Sequence, residues 1–212
     1  AIQEMARRFT ADAISPHAAH WDEHKVFPRD TIRQAAELGF GSIYVSEEMG
    51  GCGLGRLESA LIIEALAYGC PSTSAFISIH NMATWMIDAY GSDAVRSQYL
   101  PKLVTMEHMA SYCLTEPGAG SDAASLKTSA VPDGDDGWVI NGQKMWTSLA
   151  HISEYVWIAV RTDPDASRRH KGISMFLIPT TDPGWSCTPV HTLGGVRTNA
   201  TYYDNVRVTR QN

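Results

Sequence analysis

Residues 111–148, SYCLTEPGAGSDAASLKTSAVPDGDDGWVINGQKMWTS, mark the point where the chain changes character. Before Ser111 the apolar residues recur at helical spacings. After it, short runs rich in β-branched and aromatic residues alternate with clusters of Pro, Gly, Asn and Asp, the pattern of strands and turns. The expected strands are Ser111–Thr115, Leu126–Ala130, Trp138–Asn141, Gln143–Ser148, Tyr155–Thr162, Ile173–Thr180, Thr188–His191 and Thr201–Val208. The turn clusters between them fall at Pro132–Gly137, Asn141–Gly142, Asp163–Arg169 and Asp182–Gly184. This spacing predicts an antiparallel β-sandwich or barrel, with no strand–helix–strand unit.

Working back from Ser111, the signals are helical. Ile2, Met5, Phe9 and Ala13 form one amphipathic stripe. Pro28 suits a first helical position, and that run closes at Gly39. A helix over Leu57–Tyr68 turns Leu61, Ile62, Ala65 and Leu66 to a core, and Gly69 ends it. The run from Ser74 to Gly91 is so apolar that it predicts a helix buried in a bundle or an interface. Within it, His80 reads as a hydrogen-bonded buried residue and Met82 and Met86 as an i, i+4 core pair. Ser92 is the expected N-cap of a last helix, limited by Pro101. The fold class is therefore α+β: an all-helical domain over 1–110, then an antiparallel β domain over 111–212. Charge shifts at the same place, from net −5 before it to −1 after it.

Composition closes several doors. The 212 residues are 44% hydrophobic and 19% charged, ordinary globular values with room for a proper core. A net charge of −6 argues against a general nucleic-acid binder. The longest apolar runs, Ala60–Ala67 and Tyr155–Val160, fall far short of the roughly 18 residues of a membrane span. Glu4, Arg7, Arg8 and Asp12 leave no secretory signal. Cys52, Cys70, Cys113 and Cys187 form no CxxC pair and read as reduced thiols of an intracellular protein. GxSxG and Walker patterns are absent.

The chemistry concentrates in Tyr112–Asp122. Pro117, Gly118 and Gly120 make an open turn whose backbone N–H groups can face an anion such as a pyrophosphate, and Ser121 adds a hydroxyl. Gly118, Gly120 and Ala123 also fit a relaxed dinucleotide fingerprint, but the helix that fingerprint requires is missing. About twenty-five residues on, Trp146 and Ser148 share a side of a predicted strand, able to pack on a flat heterocycle and hydrogen-bond it. His17, His20 and His24 have a spacing that could hold zinc, without a completing Cys or carboxylate cluster, and read as a solvated face. Arg168, Arg169 and Lys171 read as an exposed hairpin edge.

Taken together, YCLTEPGAGSD and NGQKMWTS resemble the acyl-CoA dehydrogenase family. WDEHKVFP at 21–28, LGFGSIYVSEEMGGCGLG at 38–55, ISIHNMATWMIDAYG at 77–91, RHKGISMFLIP at 169–179 and DNVRV at 204–208 extend the resemblance over nearly the whole chain. Residues 1–130 look most like the short, branched-chain members, those acting on isobutyryl-CoA in particular; beyond Trp146 the text is nearer to bacterial members. The resemblance implies an FAD-binding strand and turn over Tyr112, Cys113, Leu114, Thr115, Glu116, Pro117, Gly118, Ala119, Gly120 and Ser121. It implies that Thr115 touches the flavin ring, and that Ser121 serves the pyrophosphate and lies beside the pantetheine arm of an acyl-CoA substrate. Trp146, Thr147 and Ser148 complete the flavin site, with Ser148 standing where many members have Thr. The resemblance also implies that part of Ile77–Met86 lines the acyl pocket.

The implied activity is α,β-dehydrogenation of a short acyl-CoA, with an electron-transferring flavoprotein as acceptor, a homotetramer when full length, and a cytoplasmic or mitochondrial-matrix location. The family's base is a Glu in a third, helical domain. Glu47, Glu48 and Glu116 read as structural or solvated, so the chain is expected to be a truncation without its catalytic base. Thr209, where members usually have Pro, is a mild departure. Two other readings stay open: flavin-dependent monooxygenation or nitroalkane-type oxidation on the same scaffold, and a non-catalytic FAD or acyl-CoA binding module.

Overall fold

The structure, a computed structural model, describes residues 1–135, 137–192, 197–209 and 211–212, with the backbone alone at Ala166. It divides into two compact units, Ala1–Met109 and Ala110–Thr192 with Arg197–Asn212.

The first unit is helical: α1 (Ile2–Phe9), α2 (Ala18–His24), α3 (Arg29–Glu37), α4 (Arg56–Gly69), α5 (Pro71–Tyr90) and α6 (Asp93–Val104). The α1 helix runs into a π-helical turn, Thr10–Ile14, where Ser15 N donates to Thr10 O at 2.8 Å. The buried stripe is Ala6, Thr10 and Ile14, correcting the expected stripe, and Met5 is exposed. Pro71 opens α5, whose missing N–H costs nothing at that position. Its buried face carries Phe76, Ile77, His80, Asn81, Thr84 and Ile87. Met82 and Met86 are only half-buried, not the core pair expected.

The buried polar groups of α5 are matched. His80 Nε2 lies 2.8 Å from Leu103 O. Asn81 accepts from Ile43 N at 2.7 Å and donates to Phe40 O and Ile77 O at 2.7 and 2.8 Å, tying the loop after α3 to the helix. Ser92 Oγ caps α6 by accepting from Val95 N at 3.3 Å. Pro101 does not stop that helix, which continues to Val104. Phe40, Phe76, Ile62, Leu66, Leu100 and Leu103 fill the core.

The second unit is one curled sheet of β1 (Ala110–Cys113), β2 (Ser129–Asp133), β3 (Gly137–Ser148), β4 (Tyr155–Arg161), β5 (Ile173–Pro179), β6 (Trp185–Val190) and β7 (Thr198–Thr209). The order is β1-β4-β2-β3-β7-β6, with β5 on the other side of β4. It is mixed rather than antiparallel: β1 runs parallel to β4, Ala110 opposite Tyr155 and Cys113 opposite Ile158, and Ser129 of β2 pairs parallel with Arg161. Parallel neighbours need a long crossover, and the stretch from Leu114 to Glu154 supplies it. β4 reads as an unbroken apolar run because both its faces are covered. Val156, Ile158 and Val160 join Ile140, Phe176, Ile178, Tyr203 and Val206 on one face, while Ala159 meets Ala119 and Leu126 on the other.

Asn141–Gly142 is not a hairpin turn. β3 runs straight through it with a shift in register against β7, Gly142 at φ +151°. Asn141 Oδ1 accepts from Asn205 N at 2.9 Å, so the pair makes a facing irregularity rather than a reversal. The expected strand Leu126–Ala130 begins instead at Ser129, after a short turn at Ala123–Ser125. The turn expected over Pro132–Gly137 includes Asp136, which lies outside the described residues.

Candidate functional site

From β1 the chain passes through half-buried Leu114 and Thr115 into a tight turn. Glu116 and Ala119 exchange both backbone hydrogen bonds, at 3.0 and 3.1 Å, so Pro117 and Gly118 form its tip. Apolar contacts seat the turn: Ala119 and Leu126 pack on Ala159, flanked by Leu114, Ile173 and Met175. Pro117, Gly118, Gly120 and Ser121 remain exposed.

The second predicted segment lies beside the first. Between Lys144 and Thr147 the β3–β7 register slips by one residue. Trp146 takes the left-handed conformation at φ +61°, and Leu149 does so at +56°. For bulky residues this backbone is strained, and such strain concentrates at functional sites. The slip frees Met145 N from the β7 ladder, and it donates to Thr115 O at 2.7 Å. Ser111 Oγ donates to Ser148 O at 2.8 Å. Burial across the three residues alternates: Trp146 is 54% exposed, Thr147 fully buried and Ser148 half-buried.

Beneath both segments sits an ion pair. Lys144 Nζ, wholly buried, donates to Glu116 Oε1 at 2.8 Å and to Leu114 O at 3.1 Å. Glu116 also accepts from Lys127 N at 2.7 Å and Thr128 N at 2.9 Å. Burial pushes the Glu116 carboxyl up, but the donors, Lys144 foremost, outweigh it and hold the group below the usual carboxylate range. Burial pulls the Lys144 ammonium down against the opposing pull of Glu116.

Two families of domain match the sequence: the acyl-CoA dehydrogenase N-terminal domain over residues 1–107 and the acyl-CoA dehydrogenase middle domain over 111–206. The chain belongs to the acyl-CoA dehydrogenase family. It is 52% identical over 185 residues to the mitochondrial isobutyryl-CoA dehydrogenase of Dictyostelium discoideum, covering 87% of this chain and 44% of that protein. It superposes on glutaryl-CoA dehydrogenase solved with glutaryl-CoA with a TM-score of 0.93 at 31% identity, covering 100% of this chain and 54% of that one. PigA, solved with FAD and proline, gives 0.92 at 30% identity, covering 99% and 56%. The chain thus spans about half the length of the relatives it matches.

Acyl-CoA dehydrogenases are flavoprotein oxidoreductases, and the site can be weighed against FAD residue by residue. Apart from their chain neighbours, no atom of the described residues lies within 4 Å of where a Cβ of Gly118 or Gly120 would stand. Nothing among the described residues therefore demands glycine there, and the space they keep clear suits a group from outside. Besides Leu114 and Pro117, Thr115, Gly118, Gly120, Ser121, Trp146 and Ser148 have exposed or half-buried surface to offer. Tyr112 is half-buried, with burial raising its phenol pKa. The side chains of Cys113 and Thr147 point into the core, 3.5 Å from each other, and that of Glu116 turns to Lys144, so these three can face a ligand only through their backbone.

Sequence reasoning missed Lys144, although it stands inside NGQKMWTS; its one signal was a cation at an inward strand position. Asn199 was also missed. Fully buried, it donates through Nδ2 to Thr147 O at 3.0 Å and lies 3.3 Å from His151 Nδ1. His17, His20 and His24 are exposed, and the described residues hold no group of three metal-ligating side chains. Arg169 pairs with Asp122 at 3.3 Å and Arg168 with Asp163 at 3.6 Å, both on the surface. A cavity of about 690 Å³ beside them is lined in part by Arg161, whose guanidinium donates to the carbonyls of Ala124, Leu126 and Arg169. All four cysteines are free thiols.

Proposed function

We propose that this chain supplies the flavin-binding part of an enzyme that α,β-dehydrogenates a short, branched acyl-CoA thioester of the isobutyryl-CoA kind. The observation that carries this reading is the union, through Met145 N and Thr115 O, of the open Gly118–Gly120 turn with the exposed Trp146. The chain's identity to isobutyryl-CoA dehydrogenase supports the choice of substrate.

A bound FAD would supply the acceptor for the β-hydrogen, which leaves as hydride with two electrons while a base takes the α-proton and the substrate's Cα–Cβ bond becomes double. The backbone N–H groups at the turn and the Ser121 hydroxyl offer donors to its pyrophosphate, and Ser121 also serves the pantetheine arm. Trp146 offers a flat apolar face to the ring system. Thr115 and Ser148 offer hydroxyl donors placed in advance for negative charge, which is electrostatic preorganisation.

Removal of the α-proton needs a carboxylate held near the substrate. Glu116 is committed to Lys144 and two backbone amides, and Glu47 and Glu48 are exposed on a short turn of the helical unit. Neither arrangement suits a base, and in this reading the base is the Glu of a third, helical domain that the family resemblance implies, outside residues 1–212. An electron-transferring flavoprotein as acceptor, a homotetrameric assembly, and a cytoplasmic or, in a eukaryote, matrix location complete the reading. No helix among the described residues is long and apolar enough to cross a membrane.

The experiment is anaerobic titration of the isolated yellow protein with isobutyryl-CoA. Bleaching of the flavin absorbance by the protein that contains this chain is expected, with FAD uptake but no bleaching by residues 1–212 alone. A colourless protein sinks the flavin reading. Bleaching by residues 1–212 alone sinks the placement of the base.

A further inference from the structure

Two charges lie buried under the candidate site, and no step of the proposed function uses them. A buried ion pair is a poor source of stability: desolvating both charges costs several kcal/mol, and apolar residues of the same volume often do as well. What such a pair does supply is direction, because every donor and acceptor must meet at one point. Here the meeting point joins the segments that build the site. Leu114 and Glu116, on either side of Thr115, both receive Lys144 Nζ. Lys144 stands two residues before Trp146 on β3. Lys127 and Thr128, where the chain leaves the turn, donate to the Glu116 carboxylate. Thr128 Oγ1 then returns to Gln143 O at 3.2 Å, closing the circuit on β3. The Met145–Thr115 hydrogen bond lies inside this circuit.

We propose that the Glu116–Lys144 pair is a positioning device for the bound flavin, holding Thr115 and Trp146 at a fixed spacing so that both meet one ring system. This rests on the flavin reading above. Neither residue touches the cofactor with its side chain; each acts through the backbone it anchors.

The test uses the holoprotein that contains this chain, with Lys144→Met and Glu116→Gln made singly and together. Methionine keeps the volume and glutamine the shape. Three quantities are read: FAD dissociation by flavin fluorescence, the fine structure of the bound flavin's visible absorption band, and thermal unfolding of the apoprotein. Each single variant is expected to bind FAD on the order of 10-fold more weakly, the scale on which supporting partners act at other bound groups. The visible band should lose fine structure, and the double variant should be no worse than the worse single one, because both act through one contact. Unchanged affinity and spectrum, with only the apoprotein melt lowered, would make the pair purely structural and overturn the inference. So would failure of both Glu116→Gln and the double variant to fold. A wild-type protein that takes up no FAD overturns the flavin reading as well; one that binds FAD while its variants bind equally well overturns this inference alone.

Discussion

The amide of Met145 reaches the carbonyl of Thr115 at 2.7 Å because the strand that carries it slips by one residue against β7. A regular ladder would have directed that amide to its antiparallel neighbour. The slip instead joins two segments about thirty residues apart in sequence and leaves Trp146 in a left-handed backbone, the residue 54% exposed.

Trp146 and His80 should therefore respond oppositely to truncation. Trp146→Ala is expected to weaken FAD binding about 10-fold or more, since stacking an aromatic ring on a flat base is worth ~1–3 kcal/mol. Its effect on stability should be small. Trp146→Gly should even raise stability, by up to ~1 kcal/mol, by relieving the left-handed backbone. His80→Ala removes a fully buried ring and its bond to Leu103 O, at a cost of about 2–5 kcal/mol, and should leave the affinity of the folded protein for FAD unchanged. Fluorescence titration and urea unfolding separate the two. The reverse order of FAD loss would discredit the site.

The glycines divide in the same way. Gly118→Ala and Gly120→Ala meet no atom of the described residues beyond their chain neighbours, so apoprotein stability should move by no more than about 0.5 kcal/mol. FAD affinity should nevertheless fall, because the methyl group enters the space left for the ligand. Gly142→Ala places its methyl 2.5–2.7 Å from Thr128, at a φ of +151° that strains any side chain. A loss of about 1–3 kcal/mol is expected there. A Gly118 variant that loses stability as Gly142→Ala does would mean the turn is closed by the protein itself.

What could be read from the sequence followed from local chemistry. The α5 helix announced itself by an apolar run with Pro71 before it, β4 by six consecutive residues without a charge, and the turn at Glu116–Ala119 by Pro-Gly next to small residues. What could not be read depended on which strands meet. The short runs Ser111–Thr115 and Tyr155–Thr162 carry no information about direction, so the parallel pairing of β1 with β4 was invisible. Asn141–Gly142 has hairpin chemistry, yet Gly142 is needed because Thr128, just before β2, leaves no room for a Cβ, a contact distant in sequence that no local pattern encodes. Lys144 was hidden for the same reason: its partner lies 28 residues earlier. The site strings were legible as a pair, but the reason they lie side by side was not.

Asn81 offers a test of the helical unit alone. Its amide serves Ile43 N, Phe40 O and Ile77 O, all buried, so Asn81→Ala orphans groups in the loop after α3. Unfolding should be easier by about 2–4 kcal/mol, given ~1–3 kcal/mol for each buried group left unpaired. Asn81→Asp keeps an acceptor for Ile43 N but loses both donors and buries a carboxyl, so it should rescue little. A change below about 0.5 kcal/mol in the urea midpoint would mean the loop is held by other contacts.

His151 should impose a pH dependence on stability. Its imidazole pKa is lowered from 6.5 to about 4, first by burial and then by the positive charge of Arg197. The neutral ring keeps Nδ1 free to accept from Asn199 Nδ2, 3.3 Å away, and Asn199 in turn holds Thr147 O. In the unfolded chain the ring takes up a proton near its ordinary pKa of about 6.5, while in the folded protein it does so only near 4. Between these values the unfolded state binds more protons, so stability rises with pH across that window and is lost as pH falls from 6.5 toward 4. His151→Gln cannot titrate and should flatten this part of the curve. Urea midpoints for the two proteins, measured at steps from pH 7 to about 4, decide the matter. Parallel curves over the whole window would mean that the ring is solvated enough to titrate normally, and that Thr147 is held without it.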